Sequence, residues 1–123
     1  MNQSKSFWHQ DIEPGYYDKI IYLGLEKNKG LQSNWHNCTY RKVLNLISKS
    51  SNNLDYACGS GTFIGRYFQN KATGVDIALE QINYARRKFK DKKFFSVDEF
   101  NNLNTEEKFQ TITLLGLIEF LTV

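Results

Sequence analysis

The segment Leu54-Asp55-Tyr56-Ala57-Cys58-Gly59-Ser60-Gly61-Thr62-Phe63 constrains the fold more than any other stretch of the chain. Residues 54–57 are short and apolar apart from the aspartate, and read as the end of a buried strand. Cys58-Gly59-Ser60-Gly61 makes a tight loop, and Phe63, Ile64, Tyr67 and Phe68 then give a helical stripe. Glycines at a strand-to-helix turn adopt dihedrals closed to other residues and let a ligand approach the backbone. In sheets built this way, ligands sit outside the carboxyl ends of the strands.

The rest of the chain continues the alternation. After the turn at Glu13-Pro14-Gly15, the positions Tyr17, Ile20, Ile21 and Leu25 suggest an amphipathic helix that Asn28-Lys29-Gly30 ends. A loop is expected through Trp35. Tyr40, Val43, Leu44 and Ile47 share one face of a second helix, with Asn37 or Thr39 as its cap. Ser50-Ser51-Asn52-Asn53 reads as a turn. Residues 72–76 read as a second strand, and Ala78, Ile82, Ala85 and Phe89 as the face of a third helix. Residues 94–98 read as a third strand, 100–108 as polar and partly helical, and 111–115 as a β-branched, apolar fourth strand. The pattern predicts an α/β doubly wound parallel sheet, without repeat or linker.

Composition narrows the function. With 123 residues, 41% hydrophobic, 15% aromatic and a single proline, the chain is globular and has little room for a second full domain. The net charge of +3 is mild. Its one dense basic run, Arg86-Arg87-Lys88-Phe89-Lys90-Asp91-Lys92-Lys93, closes the third helix, where cations complement the helix dipole. Nucleic acid is therefore not favoured as a partner. Cys38 and Cys58 form no CxxC pair and are not spaced from His9 or His36 as zinc ligands, so no metal and no disulfide are expected. No apolar run is long enough for a membrane span, and the N-terminus lacks the apolar stretch of a signal peptide. No membrane association is expected, and the expected compartment is the cytoplasm.

Asp76 stands 15 residues beyond Gly61 at the end of the second strand, where a carboxylate can accept hydrogen bonds from both hydroxyls of a ribose. Asp98 ends the third expected strand in the same way, within reach of an adenine amino group. Together with Gly74-Val75-Asp76-Ile77, Phe95-Ser96-Val97-Asp98-Glu99 and residues 109–121, the segment Asp55 to Gly61 resembles the ordered motifs of the class I S-adenosylmethionine-dependent methyltransferases. The resemblance covers about residues 37–121. The family's Asp-x-Gly-x-Gly-x-Gly signature is met with Ala57 in place of its first glycine.

The resemblance implies a Rossmann-like sheet of strand order 3-2-1-4, truncated after its fourth strand. It divides the chain into an N-terminal helix and lid-like segment (1–36) and a partial cofactor-binding domain (37–123). S-adenosylmethionine, with S-adenosylhomocysteine as product, is the implied cofactor. Its site would take Asp55, Ala57, Cys58, Gly59 and Gly61 from the first motif and Asp76 at the ribose. Ile77 would pack on the adenine, and Asp98, Glu99 and Leu115 complete the set.

The implied chemistry is direct displacement of the sulfonium methyl by a small-molecule acceptor. Leu115-Gly116-Leu117-Ile118 stands where enzymes that methylate nucleic-acid amines often carry an Asn/Asp-Pro-Pro-Tyr type motif. No catalytic base is assigned. His36, Tyr16, Tyr17 and Glu119 are candidate lid or acceptor contacts, for each of which an ordinary packing or surface role is the favoured reading. Two alternatives stay open. One is a catalytically incomplete cofactor-binding or scaffold fragment that needs a partner or a missing C-terminal region. An uncovered fourth strand would then invite self-association or a partner chain. The other is an NAD-binding Rossmann domain, whose fingerprint wants a small residue where Ile64 stands.

Overall fold

The computed structural model describes residues 12–20 and 31–115. A helical turn at residues 16–20 precedes α1 (Leu31–Leu46). Then follow β1 (Asn52–Tyr56), a single π-helical turn (Phe63–Tyr67), β2 (Lys71–Asp76) and α2 (Leu79–Lys88). The chain continues through β3 (Lys93–Ser96), α3 (Val97–Asn101) and β4 (Thr111–Thr113). The four strands form one parallel sheet, as the alternation predicts, in the order β3-β2-β1-β4 that the resemblance implies. Asp55 pairs with Gly74 and Thr113, and Asp76 with Ser96, so the carboxyl ends of all four strands lie along one edge.

The core forms where the apolar stripes meet the sheet. Ile82 and Ala85 of α2 are fully buried, and they join Phe63, Ile64, Phe68, Ala72, Phe89 and Phe94. Tyr40, Val43 and Leu44 of α1 and Ile47 just past its end pack against this cluster, as their helical spacing predicts. Gly65 permits a close approach within this core: a Cβ there would fall 2.4 Å from Cγ of Phe89. Arg86, Lys92 and Lys93 of the basic run are engaged within the fold. Arg86 donates to the Phe94 carbonyl and to Glu99, Lys92 to the Asn70 carbonyl, and Lys93 lies by Glu107. No helix among the described residues is long and apolar enough to cross a membrane.

Several elements depart from the sequence reading. α1 starts at Leu31, so Trp35 lies inside the helix and not in a loop, and the helix runs through residue 36. No glycine or proline interrupts it, and Thr39 donates back to the Trp35 carbonyl (2.9 Å) instead of capping. Asn52 and Asn53 belong to β1, not to a turn, because β4 and the segment before it accept from both side-chain amides and donate to the Asn53 oxygen. Asn53 Nδ2 donates to Thr113 Oγ1 (3.1 Å), Thr111 Oγ1 donates to Asn53 Oδ1 (2.8 Å), and Asn52 Nδ2 donates to the Lys108 carbonyl (2.9 Å). β3 stops at Ser96, where a capping box opens α3: Ser96 Oγ accepts from Glu99 N, and the Glu99 carboxylate accepts from Ser96 N. Asp98 therefore lies in the first turn of a helix, not at a strand end. The expected helix end at residues 28–30 lies outside the described residues.

Candidate functional site

The loop between β1 and the π-helical turn holds three residues in the left-handed region: Ala57 (φ 65°), Gly59 (φ 57°) and Gly61 (φ 83°). Cys58 N donates to the Val75 carbonyl and Gly61 N to the Cys58 carbonyl, each at 3.0 Å, so the loop is tied to β2 and to itself. Asp76, at the end of β2, completes the tie. Its Oδ2 accepts from Gly59 N (2.8 Å) and its Oδ1 from Ala78 N (2.9 Å) at the start of α2. Ile77 beside it is 46% exposed.

Asp55 is buried at the end of β1. A one-way series of hydrogen bonds along β1 and β4 ends on it. Ser50 Oγ lies 2.7 Å from Thr111 Oγ1, Thr111 donates to Asn53, Asn53 donates to Thr113, and Thr113 Oγ1 donates to Asp55 Oδ1 (2.7 Å). Burial pushes the Asp55 carboxyl up to about 7; the Thr113 hydrogen bond opposes this and the nearby charge of Asp76 adds to it. Burial, reinforced by Asp55 and Asp76, raises the Cys58 thiol well above its ordinary pKa. Burial of this kind disfavours the thiolate, the form that a nucleophile needs.

The structure thus brings Asp55, Ala57, Cys58, Gly59, Gly61, Asp76 and Ile77 together at the carboxyl ends of β1 and β2. Asp98 is exposed in α3. Glu99 lies beside it with its carboxylate engaged by Ser96 N and by Arg86 (2.7 Å), which hold its pKa low. Leu115 lies past β4, packed partly against the core. His36 sits between the rings of Trp35 and Tyr40 on α1. Glu119 and residues 117–118 lie outside the described residues. Among the described residues no cluster could hold a metal ion.

Two polar residues that the sequence did not mark are central here. Asp18 is 1% exposed and accepts from Thr62 Oγ1 (2.9 Å), Arg66 Nε (2.7 Å) and Nη2 (2.8 Å), and Tyr84 Oη (2.6 Å). Burial works against its ionisation, but the donors from Arg66, Tyr84 and Thr62 outweigh it and hold the carboxyl below its usual range. Gln81 of α2 accepts from Gly15 N (2.9 Å) and Ser60 Oγ (2.8 Å) and donates to the Glu13 carbonyl (3.0 Å). Between these anchors, Tyr17 faces Gly59: a Cβ on that glycine would lie 3.6 Å from Cδ2 of the ring. Burial, and then the charge of Asp76, raise the Tyr17 pKa.

No protein-family model and no curated protein matches the sequence. Solved structures do match the fold. A TehB-like SAM-dependent methyltransferase from Corynebacterium glutamicum aligns at TM-score 0.54 and 20% identity, over 74% of this chain and 56% of that one. The SAM-bound amino pentose methyltransferase CalS10 from Micromonospora echinaspora aligns at 0.54 and 19%, over 94% and 48%. The magnesium protoporphyrin IX methyltransferase ChlM from Synechocystis, with bound SAH, aligns at 0.51 and 18%, over 85% and 48%. The chain spans about half the length of these proteins.

Proposed function

We propose that this chain, which has the fold of the class I S-adenosylmethionine-dependent methyltransferases, is the cofactor-binding half of such an enzyme and that the acceptor is a small molecule. The observation that carries this reading is the bond from Gly59 N to Asp76, which joins a left-handed glycine loop to a carboxylate at the neighbouring strand end.

The residues fit an adenosyl ligand. Each Asp76 oxygen takes one backbone N–H and keeps accepting capacity, which suits two ribose hydroxyls. Ile77 offers the adenine an exposed apolar side chain next door. Asp98 is an exposed acceptor for the adenine amino group, and Glu99 fixes the helix turn that presents it. Asp55, Ala57, Cys58, Gly59 and Gly61 shape the methionine end, and Leu115 stands at the β4 side. S-adenosylmethionine supplies a methyl on a sulfonium whose leaving group is a neutral thioether, so no acid is needed. The contribution of this chain is to bind, orient and exclude water. The printed descriptions of CalS10 and ChlM, an amino pentose and a magnesium protoporphyrin IX methyltransferase, support a small acceptor.

A second reading, a cofactor-binding piece completed by another polypeptide, draws on β4. This end strand exposes Ile112 (62%), Leu114 just past it is 45% exposed, and the strand's outer edge has no strand partner among the described residues.

Calorimetric titration decides the cofactor. Saturable binding of S-adenosylmethionine and S-adenosylhomocysteine is expected. Saturation with NAD and none with either adenosyl ligand refutes the reading.

A further inference from the structure

Residues 12–20 are fastened across the glycine loop at both ends, by the same elements that build the candidate site. At one end Gln81 holds Gly15 N and the Glu13 carbonyl while it accepts from Ser60 of the loop. Gly15 itself (φ 79°) lies against Tyr84; a Cβ there would fall 2.3 Å from Cε2 of that ring. At the other end Asp18 is held by Thr62 just past the loop, by both donors of the Arg66 fork and by Tyr84 of α2. Glu13, Pro14, Tyr16 and Lys19 face solvent, so little apolar burial holds the segment down. Its attachment is polar and directional. A carboxylate is tolerated at 1% exposure only because four donors converge on it. An attachment of this kind fixes orientation, and what it orients is the Tyr17 ring, against Gly59 and within the field of Asp76.

We infer that residues 12–20 form a preformed wall of the nucleoside site, in which Tyr17 is a binding residue for the ribose end of an adenosyl ligand and Asp18 and Gln81 are positioning residues that hold it in place. The inference rests on the methyltransferase reading above. The ring lies against Gly59, whose N–H Asp76 accepts, so hydroxyls that bind Asp76 do so beside an apolar aromatic surface. Asp18 and Gln81 act through the segment and do not touch the ligand.

The test uses the full chain with S-adenosylhomocysteine as probe, read by calorimetry and by hydrogen exchange. Tyr17→Ala is expected to weaken binding about tenfold, and Tyr17→Phe to stay within about twofold, because the ring and not the hydroxyl makes the wall. Asp18→Asn is expected to speed amide exchange at residues 12–20 while β1 and β2 amides keep their protection, and to weaken binding by a similar factor. Bound probe should slow exchange at residues 12–20 in the parent. Parent-like affinity in Tyr17→Ala, or ligand-independent exchange at residues 12–20 in a parent that binds, overturns the wall and leaves the methyltransferase reading standing. A parent that binds no adenosyl ligand overturns both. If Asp18→Asn does not fold, the Tyr17 pair, on a partly exposed side chain, decides alone.

Discussion

Asp55→Asn tests the electrostatics of the site most directly. The wild-type carboxyl is displaced from 3.8 to about 7, chiefly by burial. A displacement of about three units corresponds to about 4 kcal/mol, an upper figure for a group of this kind. The folded chain holds this proton more tightly than the unfolded chain does. The stability tied to protonated Asp55 is therefore fully present below about pH 4 and is lost as pH rises to about 7, at about 1.4 kcal/mol per unit. Asparagine keeps an oxygen to accept from Thr113 Oγ1 and carries no charge. The variant should therefore be more stable than the parent by about 2–4 kcal/mol at pH 8, with the margin shrinking steadily toward pH 5. Asp18, Glu99 and Glu107 are shifted the opposite way and are common to both proteins, so they cancel in the difference. Urea unfolding of both proteins at half-unit steps from pH 5 to 8.5 gives the comparison. A stability difference that stays flat across that range refutes the reasoning.

Two further changes probe the loop. Asp76→Ala removes the acceptor of Gly59 N and Ala78 N along with the proposed ribose contacts, and S-adenosylhomocysteine affinity should fall at least about tenfold in a folded variant; unchanged affinity counts against the ribose assignment. Ala57→Gly relieves a left-handed alanine worth about 1–2 kcal/mol and gives back about 0.4–1 kcal/mol in the unfolded chain, so a net gain of up to about 1.6 kcal/mol is expected by thermal melting. A fall in melting temperature would show that the methyl group makes contacts that matter more than its dihedral.

What was legible in the sequence follows the range of the forces involved. The spacing of Ile82, Ala85 and Phe89 marks one helix face because each residue's burial depends on a period of 3.6. The meeting of Gly59 with Asp76 was legible because a strand-turn-helix unit returns the chain beside itself in a fixed sense. The strand order was legible only through the resemblance of the ordered motifs to a known family. Asn52 and Asn53 read as a turn because asparagine in isolation prefers water. Their partners Lys108, Thr111 and Thr113 lie more than fifty residues away, beyond any local pattern. Asp18 is obscured in the same way, since it sits on an amphipathic stretch and its donors at 62, 66 and 84 belong to other elements. The α3 cap is a different failure. Ser96-Val97-Asp98-Glu99 carries a capping-box pattern, but the apolar run Phe94-Phe95 extended the strand reading across it.

The polar series from Ser50 to Asp55 also bears on how the molecule assembles. β1 meets β2, and β2 meets β3, across gaps of about twenty residues, whereas the hydroxyl and amide contacts of β4 on β1 span 58 to 60. The longest closure is the least probable early event, so the three-strand unit is expected to form first and β4 to dock onto it late. A slip of one residue at that step turns Thr111 and Thr113 to the opposite face and leaves Asn53 and Asp55 buried without their donors. Late docking is thereby selective for a single register. Weakening the series at Thr113 should accelerate unfolding and leave the refolding rate nearly untouched.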